Sequence, residues 1–402
     1  MRIAMLADFY PPYNRGGAGV VAHRLAKYFA RQGHEILVVT TVQEEVLQKE
    51  YEIDGVAVIA IPVNYPERFR NFLGVNNPSA VASVRSSLAE FKPDLVHAHN
   101  IHHYLSLACI RASDHMGWPT VVTSHDYLFV CCGRLTCTTG PQCFRPNIVS
   151  CAMTQRLRFN PFRNAAARKI INSHSSYVLA ISDVMRRALE INGIERVETI
   201  HNGIDVDEWV PQYLDMNTEI RPKVTLPGRI SDEKGAEVLL KAVAEVPISD
   251  RPTIVFLGDN PRYETKLRAF AESVGLSGCL EITGWLSSEA VRDTLINAQI
   301  VTTPSIYPDP FNLGNIEAMS LGIPVIGTCF GGAPEIIVDG ETGFIIDPRD
   351  SIAFSTRLIK LLRDKKLRDS MGRAGRRRVE ELFTLKQQAD KTMDKYLEAG
   401  AF

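Results

Sequence analysis

Short apolar runs alternate with amphipathic helical patterns along the whole chain, and this alternation restricts the fold more than any other feature. Longer stretches with a helical period separate the runs, as at residues 19–33. Strands that alternate with helices are typical of a parallel sheet that helices cover on its faces. The first series of strand candidates lies at 2–8, 35–41, 56–62, 95–99, 120–125, 177–182 and 197–203.

A second series of the same kind begins near residue 222, after a turn-rich segment without periodicity at 203–222. A chain of 402 residues is too long for one ordinary core. We therefore predict an α/β protein with two tandem Rossmann-like domains, 1–205 and 206–384, that face an interdomain cleft, and a last helix in 385–402 that packs back across them. The strand candidates of the second series are KVTLPGR, TIVFLGD, LEITGW, IVTTPS, VIGTC and GFIIDP.

The composition restricts the class of protein and its partners. An apolar fraction of 45% and a charged fraction of 23% are typical of a soluble globular protein. The net charge of −1 gives the whole chain no electrostatic attraction to nucleic acid. The opening MRIAMLADF lacks the pattern of a signal peptide, and no apolar run reaches the roughly 18–20 residues that span a bilayer. We expect a cytoplasmic protein, soluble or peripheral on the cytosolic face of a membrane.

A glycine-containing loop, YNRGGAGVV (13–21), joins the first predicted strand to the first helix. Gly16 and Gly17 allow a ligand to approach the backbone closely, and the helix start offers N–H groups to an anion. A tight strand-to-helix turn would explain the same residues. The loop also differs from the G-x-G-x-x-G of dinucleotide-binding enzymes. Both interpretations remain open from this loop alone.

Two cations follow the first strand of the second series, in LPGRISDEKGAEVLL. Arg229 offers a fork of N–H donors and Lys234 a mobile point charge, and the two together suit a diphosphate. The alternative is a pair of solvated surface charges.

Two acids flank a helix start in DPFNLGNIEAM, which follows the strand IVTTPS. Backbone N–H groups beginning at Asn312, Leu313 and Gly314 suit phosphate oxygens. Glu317, about one turn into the helix, can accept hydrogen bonds from two vicinal hydroxyls such as those of ribose, and Asp309 can accept one from an attached sugar. Alternatively, Asp309 is a turn residue and Glu317 interacts with the helix dipole.

The run from PSIYPDPF to GFIIDP resembles family 4 of the retaining nucleotide-sugar glycosyltransferases, which have the GT-B fold. The glycine loop, VHAHNIHHYLSL, TSHDY, IHNGID and GRISDEKG extend the resemblance over nearly the whole chain. It implies a hexosyltransferase that moves a sugar from a nucleoside diphosphate donor to an acceptor hydroxyl with retention. A UDP-sugar is the commonest donor. The resemblance also implies no cofactor and no metal, because arginine and lysine replace the cation that other transferases use.

The same resemblance implies roles for the acceptor-side residues. His125 would lie at the sugar, and Gly16 and Gly17 would approach the phosphate or the acceptor.

On the donor side, the resemblance places Glu317 at the ribose, Asp309 at the sugar and Trp285 near the base, and it places Arg229 and Lys234 at the diphosphate. Two departures concern the choice of sugar. Asp309 stands where the family has a longer glutamate, and Asn312 stands where a glycine usually follows the phenylalanine.

Two further groups of residues raise the question of a metal. His97, His99, His102 and His103 are dense enough for metal ligands, but they span a strand and its following loop, and we favour helix-capping and core roles. Five cysteines, at 131, 132, 137, 143 and 151, fall within 21 residues. They could supply four thiolates to zinc, but they lack a C-x2-C pair, and we favour reduced thiols.

A basic stretch runs without any acid from Asp126 to Asp183. Leu157, Phe159 and Phe162 interleave with its cations. It is either a solvated positive face or a surface for anionic lipid head groups, with an acceptor glycan that is lipid-linked or otherwise anionic. Its cations are Arg134, Arg145, Arg156, Arg158, Arg163, Arg168 and Lys169.

Alternative functions remain at this stage. A sugar-nucleotide epimerase or a phosphorylase could use the same two-domain fold, and the epimerase would consume the donor without an acceptor. A non-catalytic partner of another transferase would bind the nucleotide sugar without turnover, although the set of Arg229, Lys234 and Glu317 argues against it.

Overall fold

The computed structural model describes residues 1–13, 16–43, 49–131, 144–212 and 221–401. The chain divides into two compact units. Unit 1 consists of Met1–Gly203 and Leu385–Phe402, and unit 2 consists of Ile204–Thr384.

The sheet of unit 1 has eight strands in its described part, in the order β3-β4-β2-β1-β5-β6-β7-β8. All neighbouring pairs are parallel except the edge strand β3, which is antiparallel to β4. The strands are β1 Arg2–Ala7, β2 Glu35–Val42, β3 Glu50–Ile53, β4 Val56–Pro62, β5 Leu95–His99, β6 Thr120–Ser124, β7 Tyr177–Ala180 and β8 Val197–Thr199.

Helices cover this sheet, and its central strands are buried on both faces. Every residue of β5 and β6 is buried, as is usual for parallel strands between two helical layers. The last helix of the chain, α15, also belongs to unit 1, where it packs on α1. The helices of unit 1 are α1 Gly17–Arg31, α2 Arg70–Leu73, α3 Pro78–Phe91, α4 Ala108–His115, α5 Ile148–Gln155, α6 Arg163–His174, α7 Asp183–Ile191 and α15 Leu385–Glu398.

The sheet of unit 2 is wholly parallel in its described part, with the order β11-β10-β9-β12-β13-β14. Its strands are β9 Lys223–Pro227, β10 Thr253–Leu257, β11 Leu280–Ile282, β12 Ile300–Thr303, β13 Val325–Thr328 and β14 Gly343–Ile346. Its helices are α8 Ala236–Ala244, α9 Pro261–Ser273, α10 Ser288–Leu295, α11 Leu313–Ser320, α12 Ala333–Ile336, α13 Ser351–Arg363 and α14 Lys365–Leu382.

The core of unit 2 fixes its helices against the sheet. Leu239 of α8, Leu267 of α9 and Leu358 of α13 are fully buried in one cluster with Phe256 of β10. Full burial of such a side chain stabilises the fold by about 1.5–3 kcal/mol. A packed core therefore holds the strands of unit 2, and with them the loops that follow the strands.

Each predicted strand is present, and the structure adds β3, which the apolar pattern did not indicate. Within the described residues, no helix combines the length and the apolar character that crossing a bilayer requires.

Candidate active site

The predicted donor-side residues lie on loops at one edge of the sheet of unit 2. Arg229 and Lys234 follow β9, Asp309 follows β12, and Trp285 follows β11. Because these strands are parallel, their carboxyl ends meet at the same edge, where ligands of such sheets bind. The fold thus brings together side chains that are up to 80 residues apart in the sequence.

Lys234 and Asp309 form a largely buried ion pair. Lys234 Nζ lies 2.5 Å from Asp309 Oδ2, and the two side chains are 20% and 8% exposed. Lys234 Nζ also lies 5.4 Å from the centre of the Tyr307 ring. Burial acts to lower the pKa of Lys234, but the nearby Asp309 carboxylate and Tyr307 outweigh it, so that the pKa is raised. Lys234 therefore stays cationic at every physiological pH.

The backbone around Asp309 is held by the GGAPE turn after β13. The Gly332 N–H donates to the Asp309 carbonyl at 2.8 Å. Gly331 has φ +67°, and a Cβ atom there would lie 2.0 Å from the same carbonyl oxygen. Only glycine fits this position, and the close approach explains why the motif clusters with Asp309.

The side chain of Asn312, the residue before helix α11, caps the N-terminus of this helix. Asn312 Oδ1 accepts from the Gly314 N–H at 3.0 Å, and Asn312 Nδ2 donates to Asp309 Oδ2 at 3.2 Å. Leu313 is the first helical residue, and Glu317, only 9% exposed, is the fifth. The cap occupies one of the N–H groups expected to meet a phosphate, so a phosphate would have to share or displace it.

Arg229 and Trp285 are more exposed than the ion pair. The Arg229 side chain is 52% exposed, with Nη2 3.8 Å from Glu233 Oε2. Trp285 is 53% exposed beyond the edge strand β11, next to the bridge between Gly258 and Gly284. Both side chains therefore have room to meet a ligand.

The glycine loop of unit 1 ends at the start of α1. Gly16 is the N-cap residue with φ 173°, an extended conformation open to any residue, and Gly17 begins the helix. A Cβ atom on Gly16 would meet nothing within 4 Å. The fold does not require glycine at 16, and a side chain there would occupy open space beside the helix start. Positions 14 and 15 of the loop lie outside the described residues.

His125 follows β6, is partly exposed, and ends a row whose other members, His99 and His97, are buried. Its Nε2 lies 3.0 Å from His99 Nδ1, and His99 Nε2 lies 3.2 Å from His97 Nδ1. Burial lowers the pKa of His97 to about 3 and that of His125 to about 4, and it lowers the pKa of His99 well below the ordinary value. All three rings are therefore neutral at pH 7. The expected core role of His97 and His99 is confirmed, and His102 is also buried.

Two acids that the sequence analysis did not single out organise the strand ends of unit 1. Asp8, directly after β1, accepts from the backbone N–H groups of His103, Tyr104 and Leu105 at 2.6–2.9 Å. Asp126 accepts from the Leu128 N–H at 2.9 Å. The sequence could have indicated these two residues, because each is an acid that lies one or two positions after a buried strand.

The described residues offer limited options for a metal ion. Cys131 and Cys151 are buried, with their sulfur atoms 3.8 Å apart, while cysteines 132, 137 and 143 lie outside the described residues. Asp114, His115 and His174 bring ligand atoms within 4.8 Å at the surface of unit 1. His174 Nδ1 already hydrogen-bonds to Asp114 Oδ2 at 2.8 Å, which explains why these side chains lie close together.

The basic stretch is less uniform than predicted. Assigning Arg163 to a positive surface is wrong, because its side chain is buried and its guanidinium donates to the Leu128 carbonyl. Arg158 pairs with Glu67 at 3.1 Å. Position 134 lies outside the described residues. The exposed cations that remain are Arg145, Arg156, Arg168 and Lys169.

Comparisons with known proteins agree with this architecture. The family model described as Glycosyltransferase Family 4 matches residues 15–208, and the model described as Glycosyl transferases group 1 matches residues 217–378. Sulfoquinovosyl transferase SQD2 from Arabidopsis thaliana is 25% identical over 94% of this chain and 70% of its own length.

Solved structures share the fold. Sucrose-phosphate synthase from Thermosynechococcus elongatus superposes with a TM-score of 0.80 at 19% identity, covering 99% of this chain and 98% of its own. HepE from Anabaena, in complex with UDP and glucose, has a TM-score of 0.76 at 20% identity, covering 99% of this chain and all of its own. These matches confirm the predicted GT-B class of α/β fold. From its two family matches and its fold, the chain belongs to the GT-B glycosyltransferases that resemble glycosyltransferase family 4.

Proposed function

We propose that this glycosyltransferase moves a hexosyl group from a nucleoside diphosphate sugar to an acceptor hydroxyl with retention at the anomeric carbon. The observation that carries the proposal is the Lys234–Asp309 ion pair at the carboxyl edge of unit 2, with Glu317 on the helix that begins beside it. A cation and one acid are thus in contact, and a second acid lies on the adjoining helix. HepE, which shares the fold, binds UDP and glucose, and a UDP-sugar is the donor we propose.

The diphosphate leaving group is stabilised by cations of the protein. Lys234 carries three N–H donors, so it can bind a phosphate oxygen while it keeps its contact with Asp309. Arg229, with its exposed guanidinium, closes on the diphosphate from the same loop. The start of α11 adds its dipole. Fixed positive groups that meet developing negative charge lower the barrier without a metal ion.

The remaining side chains orient the donor. Glu317 accepts hydrogen bonds from the two ribose hydroxyls, and Trp285 lies against the base. Asp309 and His125 bind sugar hydroxyls, and Gly16 and Gly17 leave room for the phosphate or the acceptor.

Retention follows in this proposal from attack on the same face that the diphosphate leaves. Asp309 Oδ2 is engaged by Lys234 and Asn312, so this carboxylate binds the sugar rather than attacks it. The departing phosphate oxygen takes the proton of the acceptor hydroxyl. The new C–O bond forms as the C–O bond to the phosphate breaks.

We further propose that the acceptor is lipid-linked or otherwise anionic and that unit 1 meets an anionic membrane surface. The apolar surface formed by Ile148, Val149, Met153, Leu157 and Phe162 has side chains that are 67–86% exposed. Exposed apolar side chains that alternate with cations along one segment are typical of an interfacial anchor.

A cavity beside the apolar surface is likewise lined by both cations and apolar side chains. Its volume is about 570 Å³, and its lining includes Arg145, Arg168, Ile148 and Phe159. Each Lys or Arg near an anionic bilayer contributes about 1 kcal/mol. The four exposed cations of the basic stretch therefore support reversible attachment.

A thermal-shift screen of nucleoside diphosphates and their sugars, followed by product analysis, tests the catalytic proposal. A ligand at 100 times its dissociation constant stabilises the folded protein by about 2.7 kcal/mol. We expect a shift with one nucleotide, and acceptor-dependent release of that nucleotide with an α-linked product from an α-linked donor. Donor consumption without acceptor would favour an epimerase. Binding without turnover on any acceptor would favour a non-catalytic partner, and pyridoxal absorbance would favour a phosphorylase.

Co-sedimentation with liposomes tests the membrane proposal. We expect binding to anionic but not neutral vesicles at low salt, and its loss in the Met153→Asp/Leu157→Asp variant. Ile248→Asp/Ile352→Asp is the matched control, because these side chains of unit 2 are 79% and 71% exposed. A wild-type protein that stays in the supernatant with anionic vesicles at low salt would make a soluble acceptor the better assignment.

A further inference from the structure

A row of hydrogen-bonded rings leads from His125 into the interior of unit 1 and ends on the last helix of the chain. His97 and His99 are two residues apart on β5 and therefore point to the same face of the sheet. Tyr396 of α15 lies on that face, with its hydroxyl 2.6 Å from His97 Nδ1. The order of the row is Tyr396, His97, His99 and His125.

The hydroxyl of Tyr396 sets the direction of these hydrogen bonds. Tyr396 is fully buried, and His97 Nδ1 is the only hydrogen-bond partner of its hydroxyl among the described residues. A buried O–H group without an acceptor costs about 1–3 kcal/mol. The phenol must therefore donate, and His97 Nδ1 must accept.

The tautomers of the following rings follow step by step. A neutral imidazole has one N–H donor and one acceptor nitrogen. His97 thus carries its proton on Nε2 and donates it to Thr123 Oγ1 at 2.7 Å. His97 Nδ1 also faces His99 Nε2 at 3.2 Å, and because His97 Nδ1 carries no proton, His99 Nε2 must carry one. The lone pair of His97 Nδ1 is then shared by the shorter bond from Tyr396 and the longer, weaker one from His99. His99 Nδ1 is left to accept from His125 Nε2 at 3.0 Å. His125 is then protonated on Nε2, and its Nδ1 is an acceptor.

We propose that Tyr396 is a positioning residue of the glycosyltransferase, which acts through His97 and His99 to hold His125 in the Nε2–H tautomer. His125 Nδ1 then offers a lone pair to a hydroxyl of the bound sugar. The inference rests on the proposed placement of His125 at the sugar. It gives α15 a part in the site although Tyr396 contacts His97, which lies two rings away from His125.

Nitrogen NMR of the protein labelled with ¹⁵N-histidine tests the tautomer without any assay of activity. Signals of His125 are assigned by their loss in His125→Gln. We expect wild-type His125 with Nε2 protonated and Nδ1 bare, and a mixture of tautomers in Tyr396→Phe. Tyr177→Phe is the matched control, because it removes a hydroxyl that bonds Glu398 of the same helix without touching a histidine. An unchanged His125 spectrum in Tyr396→Phe overturns the proposal.

Donor turnover gives the second measurement. We expect Tyr396→Phe to lower kcat about tenfold with little change in KM, which is less than the roughly 10²–10⁴-fold that a correctly placed proton acceptor itself contributes. His99→Gln interrupts the row, so Tyr396→Phe should have no further effect in that background. Additive losses in the double variant would contradict the coupling. If His125→Ala keeps wild-type turnover, the assignment of His125 to the site fails, while the NMR result on the coupling still stands.

Discussion

Removing the cation of the buried pair in unit 2 has a calculable effect on stability. The Asp309 residue is 6% exposed, and in Lys234→Met its carboxylate keeps only the Asn312 Nδ2 among the two side-chain donors that bond it. Breaking a buried ion pair by loss of one partner costs about 3–5 kcal/mol. Because Lys234 is still 20% exposed, we expect a loss near the lower end, about 3 kcal/mol.

Urea unfolding and donor turnover separate the structural from the catalytic part of this effect. The double variant Lys234→Met/Asp309→Asn removes the unpaired charge, so it should regain most of the lost free energy of unfolding. Its turnover should remain at least about 10²-fold below wild type, because the diphosphate contact is not restored.

Arg229→Met is the matched control for this experiment. Its side chain is 52% exposed, so the free energy of unfolding should change by no more than about 0.5 kcal/mol, although turnover should fall about as far. The reasoning is refuted if Lys234→Met unfolds like wild type, or if the double variant is no more stable than the single one.

Three further predictions concern other parts of the molecule. Activity should survive EDTA, since Lys234 and Arg229 take the place of a cation; loss on chelation with recovery in Mn²⁺ would refute this. Gly331→Ala should lower stability and turnover together, because its Cβ would meet the Asp309 carbonyl, whereas Gly340→Ala, with φ +79° and nothing within 4 Å, should cost only about 1 kcal/mol. The free energy of unfolding should fall as the pH drops from about 6.5, the ordinary histidine pKa, towards the pKa of about 3 that burial gives His97, because the unfolded chain binds a proton that the folded chain does not. Each such histidine contributes about 1.4 kcal/mol per pH unit, so in His97→Gln the free energy of unfolding from urea titrations should fall less between pH 7 and pH 5.

Local patterns predicted the fold and the edge of the sheet that carries the site. Buried parallel strands are continuous apolar runs, and the loops at their carboxyl ends converge by topology, so Lys234 and Asp309 could be placed at one edge from sequence alone. The edge strand β3 was not predicted, because its sequence EYEI alternates charged residues with Tyr51 and Ile53 at the edge of the sheet. That pattern is too short to distinguish a strand from a turn-rich connection.

Contacts between distant residues could not be predicted in the same way. Lys234 and Asp309 were expected to bind the ligand independently, and their direct pairing spans 75 residues. Arg163 was grouped with the cations of the basic stretch, but its guanidinium donates to a carbonyl 35 residues away. Tyr396 and His97 are 299 residues apart. No local sequence pattern predicts such a pairing.

The central claim is that the carboxyl edge of unit 2 binds a nucleoside diphosphate with the ribose on Glu317. Calorimetric titration of UDP in EDTA, into the wild-type protein and into Glu317→Ala, tests it most directly. We predict binding to the wild type and an affinity weaker by about 1–3 kcal/mol in the variant, the contribution of hydrogen bonds to a charged group. Equal affinities in the two proteins, or no binding of any nucleoside diphosphate to the wild type, would contradict the claim.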